Sequence, residues 1–176
     1  MKESEIKVLD VDVKKLSARL SAIGAKKVYD DVRVITTWDA PGGLYAKQDK
    51  LIRITEEDGA KLTMHINNSN PKTKQEIKFK TARSAEPTAF MKGMGLARIT
   101  KVRARRVSFE LGKIDFDIDK FPKIPAFLEI DVAGLPGSKI KSLLADLGLS
   151  KNKVVANGTE AIHKLYGVDY FKAYGK

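Results

Sequence analysis

The sequence predicts an α+β fold, a mostly antiparallel sheet of about eight strands with helices covering its apolar face. Two observations carry this. Short stretches alternate charged with apolar residues and are mostly joined by brief turn clusters, as in Leu51–Thr55, Lys61–Ile66 and Ile114–Asp119. Runs near residues 12–23, 86–95 and 138–147 instead space their apolar residues at helical intervals. Alternation alone leaves two architectures open: an open sheet with one wet face, or a closed barrel with a charged lumen and helices outside.

Element by element, Glu3-Ser4-Glu5-Ile6-Lys7 opens the chain as a strand. Its alternation puts Glu3, Glu5 and Lys7 on one face, with Ile6 and Val8 on the other. Adjacent carboxylates repel unless a cation lies between them, and a hard divalent ion such as Mg²⁺ prefers oxygen ligands. Taken alone, the pentad reads as a solvated strand face. Asp12 is placed to cap a helix carrying Val13, Leu16, Leu20 and Ile23, which Gly24 ends. Val28–Trp38 is β-branched and alternating, hence a strand, and Asp39–Gly43 is a turn leading into a loop with Lys47 and Lys50.

Strands follow at 51–55, 61–66 and 74–80, the first two joined by a hairpin turn at Glu56–Gly59. Ala85–Leu96 reads as a short helix with Phe90, Met91 and Met94 on its apolar side. The strand Ile99–Glu110 loses its alternation at Arg105-Arg106, which predicts a bulge. Phe127–Val132 carries Glu129 and Asp131 on one face. A helix from Pro136 to Gly148 and a short one at Thr159–Tyr166 close the chain. His163 reads as a surface or cap residue, and Tyr166, Tyr170 and Tyr174 as packing residues. Shifted by 124 positions, Glu5-Ile6 falls on Glu129-Ile130, Val8 on Val132, Leu20 on Leu144 and Gly24 on Gly148. This suggests a strand-then-helix unit used twice, with Glu5 and Glu129 facing one site.

The 176 residues fit a single domain, 1–176, with 43% apolar and 31% charged residues. There is no cysteine, which excludes disulfides, thiolate zinc and a cysteine nucleophile. The first strand begins almost at Met1, leaving no room for a signal peptide, and no apolar run is long enough to span a membrane, so the expected location is cytoplasmic. A net charge of +11, spread along the chain, favours an anion site within a fold over a basic tail. With 7% aromatics, a base-stacking platform is poorly supported.

The ordered set of motifs resembles the CYTH family, the triphosphate-tunnel proteins, over nearly the whole chain. Its marks are Glu3-x-Glu5-x-Lys7, Gly24-Ala25, Trp38-Asp39 before a Pro-Gly turn, Leu51-Ile-Arg53-Ile and Lys61-Leu-Thr63. Lys101-x-Arg103, Asp117-x-Asp119 and Pro125-Ala-Phe-Leu-Glu129-Ile-Asp131 complete it. The resemblance implies an eight-stranded antiparallel barrel whose lumen holds a triphosphate compound and Mg²⁺ or Mn²⁺.

Carried over, Glu3, Glu5 and Glu129 resemble the metal-holding carboxylates, with Asp117, Asp119 or Asp131 assisting. Lys7, Arg53, Lys101 and Arg103 resemble the phosphate-binding cations, with Arg105 or Arg106 a further one. Lys61, His65 and Lys78 join them as substrate-binding candidates, and Glu3, Glu5 and Lys7 as the catalytic set. The chain departs from the family pattern at Thr55, usually Arg, at His65, usually Lys, and at Lys78, often Glu.

Three functions follow: a metal-dependent triphosphatase, an adenylyl cyclase releasing cyclic AMP and pyrophosphate, and a non-catalytic binder of triphosphate, polyphosphate or RNA 5′-ends. For a nucleoside pocket the aromatic candidates are Trp38, Phe90 and Phe127, each also readable as core. No membrane partner is expected, and a homodimer is the default assembly.

Overall fold

A computed structural model of the chain describes residues 5–70 and 73–175. Glu3, and the end of the polar loop beginning at Asn67, lie outside the described residues. The fold is α+β. Nine strands form one antiparallel sheet in the order β5–β4–β3–β2–β6–β7–β8–β1–β9. They are β1 Glu5–Val8, β2 Lys26–Asp39, β3 Lys50–Glu56, β4 Ala60–Ile66, β5 Gln75–Thr81, β6 Ala97–Leu111, β7 Ile114–Lys120, β8 Phe127–Asp131 and β9 Val154–Val155. The described ladders do not close the sheet, whose ends are β5 and β9, and they number nine strands where eight were expected, so they do not confirm the eight-stranded barrel. The ninth strand, β9, is two residues long and pairs with Lys7 and Val8, too short to carry an alternation signal.

The backbone divides into two compact units. One runs from β1 to Asp31 and includes Arg105–Asn157. Here the helices α1 Val13–Ala22 and α4 Gly137–Asp146 supply Leu16, Leu20, Leu143 and Leu144 to a core shared with Val8, Phe109, Phe116, Leu128 and Ile130. Complete burial of such a side chain is worth about 1.5–3 kcal/mol.

The two helices span ranges offset by the same 124 residues as the sequence echo. Their ends match bond for bond: Ala25 N–H donates to the Leu20 carbonyl, and Leu149 N–H to that of Leu144. Gly24 and Gly148, at φ 87° and 63°, supply the left-handed turn that this closure requires. β1 and β8 pair antiparallel so that Ile6 lies opposite Ile130, its own echo.

The other unit comprises Val32–Ala104 and the chain from Gly158 onward. It contains β3, β4, β5 and three further helices, α2 Leu44–Lys47, α3 Ala85–Gly93 and α5 Thr159–Leu165, with α6 Tyr170–Tyr174 closing it. Its core joins Trp38, Ile52, Ile54, Leu62, Met91 and Leu96. The loop expected after Asp39 contains α2, because the buried Asp39 carboxylate accepts hydrogen bonds from Ala40, Tyr45 and Ala46 N–H and orders that turn.

Three local expectations are corrected. Only Met91 of the α3 trio is buried; Phe90 and Met94 are 60% and 61% exposed, on the face of α3 turned away from the core. His163 is fully buried, since α6 folds back over α5. Its Nδ1–H donates to the Thr159 carbonyl at 2.8 Å, which leaves Nε2 to accept from the Tyr174 hydroxyl at 3.1 Å. Lastly, the β6–β7 register runs unbroken from Arg105 to Leu111, without a bulge. The alternation slips because β6 buries Thr100, Val102 and Ala104 in its first half but Val107 and Phe109 in its second.

Candidate active site

In the unit containing β1, the polar side chains line up across four strands. The register sets Lys7 opposite Glu129, Glu129 opposite Asp117, and Asp117 opposite Ser108, with Arg106 opposite Asp119 one row along. Lys7 Nζ lies 3.1 Å from Glu5 Oε2 and 3.3 Å from Glu129 Oε1. The Arg106 fork meets Asp119 through Nε at 2.7 Å and Nη2 at 2.6 Å. Nη2 also donates to Glu129 Oε2 at 2.7 Å, and Nη1 donates to Asp117. Ser108 Oγ–H donates to the other Asp117 oxygen at 2.5 Å. Each oxygen of Glu129 is therefore held by a different cation.

Burial works against the charge on Lys7, but Glu129 and Glu5 outweigh it and raise its pKa. Burial likewise opposes the Arg106 charge, and Asp119, Glu129 and Asp117 more than compensate. Both groups stay cationic at any physiological pH. Asp117 goes the other way: burial raises its pKa, with Glu129 and Asp119 adding to the effect against Arg106 and Ser108. The cluster holds four carboxylates, Glu5, Asp117, Asp119 and Glu129, against two cations. That surplus of negative charge and oxygen donors fits a hard divalent ion. Among the described residues no three acidic or imidazole groups converge as a preformed cage. Glu5 and Glu129 currently share the Lys7 ammonium.

The other unit carries a face of opposite character. Thr37, Arg53, Thr63 and Lys78 lie opposite one another across β2, β3, β4 and β5. Thr55, Lys61 and Lys80 form the next row, and Leu51, His65 and Glu76 the row on the other side. Arg53 Nε, Thr63 Oγ1 and both ring nitrogens of His65 are buried without a hydrogen-bond partner. Burial, followed by Arg53 and Lys74, pushes the His65 pKa down to about 3, with Lys78 adding to the effect and Glu76 opposing it. His65 is therefore neutral near pH 7. Arg33, also buried, pairs with Glu57 at 3.9 Å. Burial raises the Tyr170 pKa, while Arg53 and Arg33 act as lowering neighbours.

The sequence candidates differ in their exposure and partners. Lys101 and Arg103 are exposed, alternating with buried Val102 and Ala104. Arg105 is exposed and forks onto Asp30 at 2.7 and 3.1 Å, whereas Arg106 is the buried arginine. Asp131 is exposed, opposite Glu5, and accepts from Ala133 N–H at 2.9 Å in the turn after β8. Lys61 is half-buried and Lys78 exposed, with Lys78 Nζ 3.1 Å from Glu76. Trp38 and Phe127 are core residues, Phe127 stacking on Phe121, and Phe90 is exposed. Sequence reading did not single out Ser108, Arg33 or a role for the Thr63 hydroxyl. A charged residue inside a β-branched strand was the available signal for Arg33.

No protein-family model matches the sequence, and no curated protein sequence matches it. Solved structures do. The PH1012 protein of Pyrococcus horikoshii superposes with a TM-score of 0.70 at 20% identity, over 89% of this chain and 96% of that one. A candidate adenylate cyclase of Vibrio parahaemolyticus gives 0.67 at 12% identity, over 100% and 93%. The chain has the CYTH fold. HpAC1 of Hippeastrum, a candidate adenylyl cyclase described as having a dominant triphosphatase activity, gives 0.70 at 13% identity over 94% and 96%. At these identities the likeness establishes the CYTH fold alone. No helix among the described residues is long and apolar enough to cross a membrane.

Proposed function

We propose that the chain is a divalent-metal-dependent triphosphatase of the tunnel type, acting on a triphosphate compound. The observation that carries this reading is the set of unpartnered polar atoms on Arg53, Thr63 and His65. A buried polar group left unsatisfied costs about 1–3 kcal/mol, so a cluster of them marks a surface completed by a ligand. The surrounding cations, Lys61, Lys74 and Lys78, make that ligand an anion.

Arg53 would grip phosphate oxygens with its planar fork, and the Thr63 hydroxyl would donate one further bond. Glu5 and Glu129 would hold Mg²⁺ or Mn²⁺, with Asp117 and Asp119 behind them and Glu3 as a further carboxylate. When bound, the metal neutralises phosphate charge and lowers the pKa of a coordinated water. Lys7 stays charged and keeps Glu5 and Glu129 from repelling one another. Arg106 fixes the position of the Glu129 carboxylate through Oε2. Hydrolysis is preferred to cyclisation because Trp38 and Phe127, two aromatics a nucleoside slot could use, are core residues. The activity described for HpAC1 points the same way.

The test is turnover of tripolyphosphate, thiamine triphosphate and ATP, each with Mg²⁺ and Mn²⁺. Orthophosphate is the expected product. Pyrophosphate together with cyclic AMP would replace this reading with the cyclase. Triphosphate binding without any product would make the protein a binder, of RNA 5′-ends or of polyphosphate.

A further inference from the structure

His65 is a titratable member of the cationic face that is uncharged near neutral pH. It sits on β4, opposite Leu51 of β3 and Glu76 of β5, two residues along from Thr63. The ring is 2% exposed, and neither nitrogen has a hydrogen-bond partner. A buried neutral imidazole ordinarily satisfies at least one nitrogen, as His163 does with Thr159 and Tyr174. The charged groups around His65 are Arg53 on β3, Lys74 at the approach to β5, and Glu76 and Lys78 on β5. Glu76 is engaged by Lys78. On its own strand, Thr63 and Lys61 share its face, and Tyr170 of α6 is an electrostatic neighbour of Arg53. Burial first, and then the three cations against the single carboxylate of Glu76, keep the proton off the ring. A polyanion bound along this face would reverse that balance.

We propose that His65 is a conditional cation, taking up one proton from solvent when a polyphosphate chain occupies this face. This rests on the triphosphate reading of the site. An imidazolium that exists only in the presence of several phosphate charges selects for long anions over short ones. A permanent lysine at this position would attract orthophosphate as well. The device makes affinity for the polyanion pH-dependent through the protein and not only through the ligand.

The chain has two histidines, so the imidazole spectrum holds two sets of ring resonances, assigned to His65 and His163 by through-bond correlation to the backbone. Imidazole ¹⁵N spectra of the full chain would be recorded at pH 6.5 with tripolyphosphate, then with orthophosphate, binding being followed by calorimetry. The expected result is conversion of His65 from neutral to imidazolium on saturation with tripolyphosphate and not with orthophosphate, while His163 stays neutral. Calorimetry in buffers of differing ionisation enthalpy would show about one more proton taken up by the wild type than by H65Q. H65K should bind both anions more tightly and lose the protein's share of the pH dependence.

Saturable tripolyphosphate binding with His65 still neutral would overturn the conditional cation and leave the site reading standing. Conversion with orthophosphate as well would overturn the selection for length. Absence of tripolyphosphate binding would overturn the site reading and this inference together. The spectra need no variant, so a failure of H65Q to fold does not remove the test.

Discussion

Adjacent arginines on β6 show how much a single residue's parity decides. Arg106 meets three carboxylates and is 9% exposed, while Arg105, one position earlier, is exposed and pairs with Asp30. Removing one partner of a buried ion pair leaves the other uncompensated, so R106A should lose about 3–5 kcal/mol of stability by urea denaturation. R105A should lose about 0–1 kcal/mol in the same measurement. E5Q should lower Mg²⁺-dependent turnover by about a hundredfold while the melting temperature moves by only about 2–4 °C, because Lys7 keeps Glu129. Full turnover in E5Q at saturating Mg²⁺ would remove Glu5 from the metal site. R53A should weaken tripolyphosphate binding by about tenfold or more, as expected for a charged hydrogen bond, and weaken orthophosphate binding less. Equal losses would place Arg53 outside the site.

At the scale of elements, α3 separates what periodicity can show from what it cannot. Its sequence places Phe90, Met91 and Met94 close together on a helix, but the core of its unit takes only Met91. M91A should therefore cost about 2–5 kcal/mol, whereas F90S should stay within about 0.5 kcal/mol, both read as shifts of the denaturation midpoint. β6 teaches the same lesson for strands. Its charged and apolar residues alternate without a break in the ladder to β7, but the face that is covered changes along its length. A pattern that looks like a bulge in sequence is a change of neighbour in space. The helix ends are the opposite case. Gly24 and Gly148 could be read directly, because a left-handed cap residue is a local requirement of the chain.

For the molecule as a whole, the two buried histidines set a direction in pH. His65 has a folded pKa near 3 against an ordinary 6.5, and burial lowers that of His163 too. Below 6.5 the unfolded chain binds protons at these positions that the folded chain refuses. The contribution of His65 to stability is complete above about pH 6.5 and is lost as the pH falls from there toward 3, and that of His163 is lost in the same direction. The urea midpoint should thus drop between pH 7 and pH 4.5, and by less in H65Q. An equal drop in H65Q would mean that carboxylates alone govern acid unfolding. The net charge of +11 makes a salt titration informative as well: RNA binding through phosphate contacts would fall steeply with salt and would not need a 5′-triphosphate.

The sequence by itself determined the α+β class, the identity of most strands, the ends of α1 and α4, and the 124-residue echo between them. These follow from periods of two and 3.6 residues and from caps, which are fixed by backbone geometry within a few positions. It also placed Glu5 and Lys7 on one face. Only the tertiary structure decided that Glu129 stands opposite Lys7, that Arg106 and not Arg105 is buried among carboxylates, and that His65 is held neutral. It alone revealed the short α6 that covers His163, tied back by the Thr100–Gly175 bridge. Strand register and desolvation join residues far apart in the chain. A charge's neighbours, and hence its protonation, are set by those long-range contacts and leave no mark on the local pattern.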